Sequence, residues 1–175
     1  YTVDILGSLA GIVAFGVLSY GRAPAVVWFA IALSLAWFFT RRWRAAQLIM
    51  ASAAVGCVWL ADWPSDAQGV ETWVTWSPYY QVKYKPRYRS IDVNNLGHQG
   101  MQSIGLSGPA YSLPHLMNRD AGRPPFEDVL IVGAGSGNDV SAALTNGAKH
   151  VDAVEIDPVI NGLGRAYHPN RPFSD

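Results

Sequence analysis

Apolar residues run almost without interruption through 5–20, 23–40 and 45–63. Each stretch is near the length of about 20 helical residues that crosses a hydrocarbon core about 30 Å thick. The separators Gly21-Arg22 and Arg41-Arg42-Trp43-Arg44 are short, so the pattern predicts three transmembrane helices in tight hairpins. Residues 25–39 lack the polar face that a helix of a soluble bundle would carry. Pro24 falls in the first turn of the second helix, where its missing N–H does no harm. Trp43, Trp59 and Trp63 fall near the ends, where an indole favours the headgroup region. Gly7 and Gly11 form a GxxxG pattern that admits a close helix or arises by chance among small residues. No ionisable residue sits in the middle of these stretches, so they read as an anchor rather than an ion or substrate path.

Beyond residue 63 the pattern changes. Residues 64–72 are polar with Pro and Gly, a linker. Residues 73–85 and 88–94 alternate bulky apolar with polar side chains, and Lys85-Pro86-Arg87 can turn between them, which predicts a β-hairpin or small sheet. Residues 94–97 supply another turn before His98-Gln99-Gly100-Met101, and 111–117 read as a short helix with its Pro near the start. An apolar strand at 128–132, a glycine-rich loop, a helix at 139–146, a strand at 151–157 and a helix at 158–167 follow. That order is the opening of a doubly wound, Rossmann-like sheet. The expected fold class is therefore α/β: transmembrane helices in 1–63, a linker in 64–72, a small β domain with a short helix in 73–120, and the first half of a Rossmann-like nucleoside-binding domain in 121–175.

Charge sharpens the division. The chain balances 13 Lys and Arg against 13 Asp and Glu, yet residues 1–62 hold only Asp4, Arg22, Arg41, Arg42, Arg44 and Asp62. The neutral balance argues against a nucleic-acid surface, which needs a basic excess. Cys57 is alone, so no intrachain disulfide forms, and the four His residues show no metal-ligand spacing, so no metal site is expected. Tyr1 is not an initiator Met and no basic segment precedes the first apolar run, so no signal peptide is read and the chain is expected to be cut at its start. Arg41, Arg42 and Arg44 compete with Lys83, Lys85, Arg87 and Arg89 in setting the orientation.

The glycine loop carries the chemistry. Gly133, Gly135 and Gly137 let backbone approach a ligand, and Glu155, 22 residues after Gly133, lies at the tip of the next strand, where a carboxylate accepts from both ribose hydroxyls. The spacing is GxGxG with Asn138 in the later slot, not the GxGxxG of dinucleotide folds, which favours an S-adenosyl ligand over NAD. No Gly-Lys-Ser/Thr follows, and Ser136 is not in a GxSxG elbow.

The series Trp76-Ser-Pro-Tyr-Tyr-Gln81, Asn95-Leu-Gly-His-Gln99, Tyr111, Val132-Gly-Ala-Gly-Ser-Gly137 and Val154-Glu-Ile-Asp157 resembles spermidine synthases, particularly bacterial membrane-fused spermidine synthase-like proteins. The resemblance covers about residues 73 to 170 in order. It implies a β domain before a methyltransferase-like Rossmann domain, and transfer of an aminopropyl group from decarboxylated S-adenosylmethionine to a small amine, leaving methylthioadenosine. It also implies that Gln81 and Gln99 contact the nucleoside, that Glu155 holds the ribose, and that Gly133, Gly135 and Gly137 line the adenosyl and sulfonium side. Ser136 stands where the family usually has an Asp near the aminopropyl amine, and a hydroxyl offers no charge-assisted bond to an ammonium. Asp139 either substitutes or serves the helix N-terminus. The family's catalytic aspartates follow a fourth strand that these residues do not reach, so the sequence is expected to be part of a longer chain. The expected protein is membrane-bound, in contact with lipid, with its soluble part cytoplasmic and the family's habit of homodimerising. The rival expectations are an S-adenosylmethionine-dependent methyltransferase and a non-catalytic nucleoside-binding or scaffold protein.

Overall fold

The structure, a computed structural model, describes residues 1–40, 42–62, 69–104 and 110–174. Among them are six helices and two sheets in a mixed α/β arrangement. The chain divides into two compact units, Tyr1–Gln68 and Gly69–Asp175.

The first unit holds α1 (Thr2–Tyr20), α2 (Ala25–Phe39) and α3 (Arg44–Asp62). The expectation of three spans is corrected here, because among the described residues only α1 is long and apolar enough to cross a membrane by length and composition. Pro24 is the N-cap of α2 rather than part of its first turn, and Thr40 is the C-cap, its hydroxyl donating to the Ala36 carbonyl at 2.7 Å. The caps leave 15 helical residues, a rise of about 22 Å. The apolar part of α3 is likewise shorter, Arg44–Leu60. Phe15 packs on Trp28 with ring centroids 5.2 Å apart, and buried Gln47 of α3 donates to the Trp37 carbonyl at the end of α2 at 3.1 Å. That amide satisfies a carbonyl left open by the helix end. Trp63 and the first part of the expected linker lie outside the described residues.

The second unit opens with an antiparallel meander of β1 (Trp73–Trp76), β2 (Gln81–Lys85), β3 (Ser90–Val93) and β4 (Leu96–Gly100), in that order. The alternating run 73–85 is two strands, because Ser77 turns the chain: its hydroxyl accepts from the Tyr79 and Tyr80 N–H groups at 3.2 and 3.1 Å. Asn94 and Asn95, both with positive φ, make the two-residue turn into β4. The register slips between Ile91 and Asp92, which pair with Gln99 and Gly97, so His98 is an extra bulged residue.

After the meander come α4 (Leu113–Asp120), β5 (Asp128–Val132), α5 (Asn138–Thr145), β6 (His150–Val154) and α6 (Pro158–Tyr167). β5 and β6 pair in parallel across the α5 connection. Leu130, Val132, Val154 and Ile156 are exposed, giving this strand pair an apolar surface open to solvent. Val82, Tyr84, Ile91 and Met101 of the meander region form one buried cluster with Ile160 of α6, so α6 joins the two blocks. Ile160→Ala is expected to cost about 2–5 kcal/mol of stability, read as a lower urea midpoint for the second unit.

Candidate functional site

The loop 133–137 leaves β5 with Gly133, Gly135 and Gly137 at φ of 77°, 56° and 104°. These left-handed values explain the glycines before any ligand is considered. Space adds to the reason at two positions. A Cβ on Gly135 would meet the Gln99 amide at 2.8 Å, and one on Gly137 would meet Phe173 at 2.7 Å.

Every N–H of this loop has an acceptor. Gly133 and Ala134 donate to the Val154 carbonyl at 2.8 and 3.0 Å, and Gly137 donates to the Ala134 carbonyl at 3.0 Å. Gly135 donates to Glu155 Oε2 at 2.7 Å, and Ser136 donates to Gln99 Oε1 at 3.0 Å. The Ser136 hydroxyl, fully buried, also donates to Gln99 Oε1 at 2.7 Å. Glu155 Oε1 accepts from the Asp157 N–H at 2.8 Å. The β4 bulge matters here, since without it His98 rather than Gln99 would stand opposite Ile91.

The structure thus brings Gln99, Glu155 and the glycine loop together. Gln81 is buried at the start of β2, with no hydrogen bond from its side chain to the loop. Its neighbour Tyr80 is near enough that Asp157 and Glu155 reinforce the rise in its phenol pKa, which burial begins. Asp139 lies in the first turn of α5, whose N-cap is Gly137, so it is not the cap residue. Burial pushes its carboxyl pKa up, against a backbone hydrogen bond and His115 that lower it. Asp139 borders a cavity of about 510 Å³ that runs along β5 and is also lined by Tyr111 and His115.

Residues that the sequence reading did not assign hold the site from behind. Asp157 caps α6, its Oδ1 accepting from Val159 and Ile160 N–H at 2.8 and 3.0 Å. Its Oδ2 is buried without a partner. Asp before Pro158 is an N-cap signature that the sequence does carry. Asn138 accepts from the Gln102 N–H at 3.1 Å and donates to the Gly100 carbonyl at 2.8 Å, tying α5 to the exit of β4. His168 completes the link. Its Nδ1 accepts from the Asn170 N–H at 3.2 Å, which leaves Nε2–H to donate to Asn138 Oδ1 at 3.0 Å. No local pattern announces Asn138 or His168, because their partners lie about 30 residues or more away in sequence. Among the described residues no group of His, Cys, Asp and Glu is placed to hold a metal ion. No family model, curated protein or solved structure matches the chain.

Two outcomes follow from this geometry. A Cβ on Gly164 of α6 would overlap the Ser136 backbone. Gly164→Ala is therefore expected to destabilise the second unit by about 1–3 kcal/mol and to displace the loop, seen as shifted amide resonances for 133–137. Burial, helped by Arg89, pushes the His168 pKa down to about 4 from its ordinary 6.5. Between those values the unfolded chain binds a proton that the folded chain does not, so stability falls as pH drops from about 6.5 toward 4. Urea midpoints at pH 7 and pH 4.5 should differ less in His168→Gln than in the parent, and equal differences would remove His168 as the cause.

Proposed function

We propose that the second unit binds an S-adenosyl-type nucleoside at the glycine loop, as spermidine synthase-like proteins do, and passes its aminopropyl group to a small amine. The observation that carries this reading is the full use of the loop N–H groups by Val154, Ala134, Glu155 and Gln99. A pyrophosphate needs such N–H groups free, whereas a nucleoside sulfonium needs none and, being a cation, suits a site flanked by Glu155 and Asp157. In this reading Glu155 keeps further lone pairs for the ribose hydroxyls, and Gln81 reaches the nucleoside from β2. Gln99 acts by holding Ser136, and Gly133, Gly135 and Gly137 keep the loop clear of side chains.

The acceptor amine enters the cavity along β5, where Asp139 holds the ammonium end. The amine lone pair attacks the carbon bound to sulfur, the C–S bond breaks to release methylthioadenosine, and the nitrogen gives its proton to a carboxylate. The β5–β6 pair is then the start of a doubly wound sheet. Its exposed apolar face is covered by further strands and helices, which carry the carboxylates of the transfer step. Helix α1 anchors the protein in contact with lipid, the second unit faces the cytoplasm where the cofactor is made, and two copies pair as a homodimer.

The buried Ser136 hydroxyl, turned onto Gln99, favours a second reading. With no carboxylate at that position to hold an amine, the same nucleoside site would serve methyl transfer from S-adenosylmethionine. Calorimetric titration separates the two. Methylthioadenosine is expected to bind more tightly than S-adenosylhomocysteine, and Glu155→Ala to weaken it about tenfold or more, in line with the loss of charged hydrogen bonds of about 1.5–3 kcal/mol. The opposite ligand preference selects the methyltransferase, and unchanged affinity in both Glu155→Ala and Gln99→Ala rejects the site.

A further inference from the structure

A second cavity, of about 340 Å³, lies where the meander meets the C-terminal end of α6, and no residue lining it belongs to the glycine loop. Its wall is aromatic. Trp73, Tyr84 and Tyr167 form a mutual cluster with ring centroids 5.3–5.5 Å apart in all three pairs. Trp73 and Tyr167 remain 41% and 42% exposed, so much of their surface is left for a ligand.

The polar lining is cationic. Arg89, just before β3, and Arg171, after α6, both face this cavity with His168, and no Asp or Glu lines it. Neither guanidinium forms an ion pair or hydrogen bond among the described residues. Glu71, near Trp73 in sequence, is engaged by the Trp73 indole N–H at 2.8 Å. Arg89 and Arg171 also adopt φ of 49° and 47°, a region that long side chains seldom occupy. The field of Arg89 reaches into the cavity lining, where it opposes the rise that burial gives the Tyr84 phenol pKa and adds to the fall that burial gives His168.

Two unpaired guanidiniums beside one cavity repel each other, and an anion converts that repulsion into attraction. Each guanidinium presents parallel N–H groups that match phosphate oxygens. The aromatic wall offers apolar, flat surface to whatever body carries the phosphate, and the volume lies within the range of small-molecule sites. We propose that this cavity is a binding site for a small aromatic or heterocyclic phosphate monoester, with Arg89 and Arg171 gripping the phosphate and Trp73 and Tyr167 flanking the ring. The site is independent of the nucleoside reading of the glycine loop.

The test is calorimetric titration of the full chain in detergent with phenyl phosphate, which carries no ribose or adenine for the glycine loop to recognise. Inorganic phosphate and phenol serve as its two halves. Phenyl phosphate is expected to bind at least tenfold more tightly than either half. Arg89→Asn and Arg171→Asn are each expected to weaken it threefold or more, and the double variant at least tenfold; asparagine suits the left-handed backbone, so the loss reports the guanidinium and not strain. Tyr167→Ala should bring phenyl phosphate down toward inorganic phosphate. Arg165→Gln, which removes a charge from α6 outside the cavity lining, should change affinity less than twofold. Absence of phenyl phosphate binding, or undiminished binding in the double variant, would overturn the proposal. Tighter binding of dihexanoyl phosphatidic acid than of phenyl phosphate would overturn the aromatic-ligand assignment in favour of a lipid headgroup.

Discussion

Five consecutive N–H groups at the turn from β5 to α5 cannot all be satisfied by the strand they leave, and the second unit is organised around supplying their acceptors. A buried donor without an acceptor costs about 1–3 kcal/mol, so the loop holds its shape only if its partners arrive. Two come from the β6 carbonyl of Val154 and the loop's own Ala134. The other two are side chains from opposite directions, Glu155 beyond β6 and Gln99 on β4. The meander is therefore part of the loop's support, since without β4 the Ser136 N–H and hydroxyl would lose their shared acceptor.

The same logic extends behind the loop. Asn138 is buried at the start of α5 and uses both ends of its amide on the chain that leaves β4, while His168 and Asn170 bring the end of α6 to the same point. A partly satisfied buried network is worse than an apolar one, and this one is bonded throughout, which fixes how α5, α6 and β4 meet. Gly164 lets α6 approach the Ser136 backbone more closely than any side chain would permit. The exception is Asp157 Oδ2, buried with no partner. Its carboxylate also contributes to the charge felt by Tyr80, so the loop region is acidic, while the cavity at the end of α6 is basic. Two regions of opposite charge thus lie on one small unit.

Local pattern made much of this legible. The strand at Asp128–Val132 and the helix at Pro158–Tyr167 follow directly from an apolar run and from an Asp-Pro start, because hydrophobic burial and capping are short-range instructions. The glycines and Glu155 were readable for the same reason. The alternation predicts a β-hairpin or small sheet but not the break between β1 and β2, because it continues through Ser77, where a side-chain hydroxyl and not a change of pattern makes the turn. The apolar run 23–40 is longer than α2, since an apolar count passes through Pro24 and Thr40, whereas the helix itself stops between them.

What the sequence determined by itself was the kind and order of elements from α4 to α6, the polarity contrast between the two units, and the presence of a glycine loop followed by a carboxylate. Tertiary structure decided which side chains serve that loop. The bulge that gives Gln99 rather than His98 the place opposite Ile91 depends on strand pairing. The meeting of Ser136 with Gln99, and of Asn138 with His168, spans 37 and 30 residues. Arg89 and Arg171 reach one cavity only because the meander and α6 share a buried cluster. A contact between distant residues leaves no period in the sequence, and it exists only once the chain has packed.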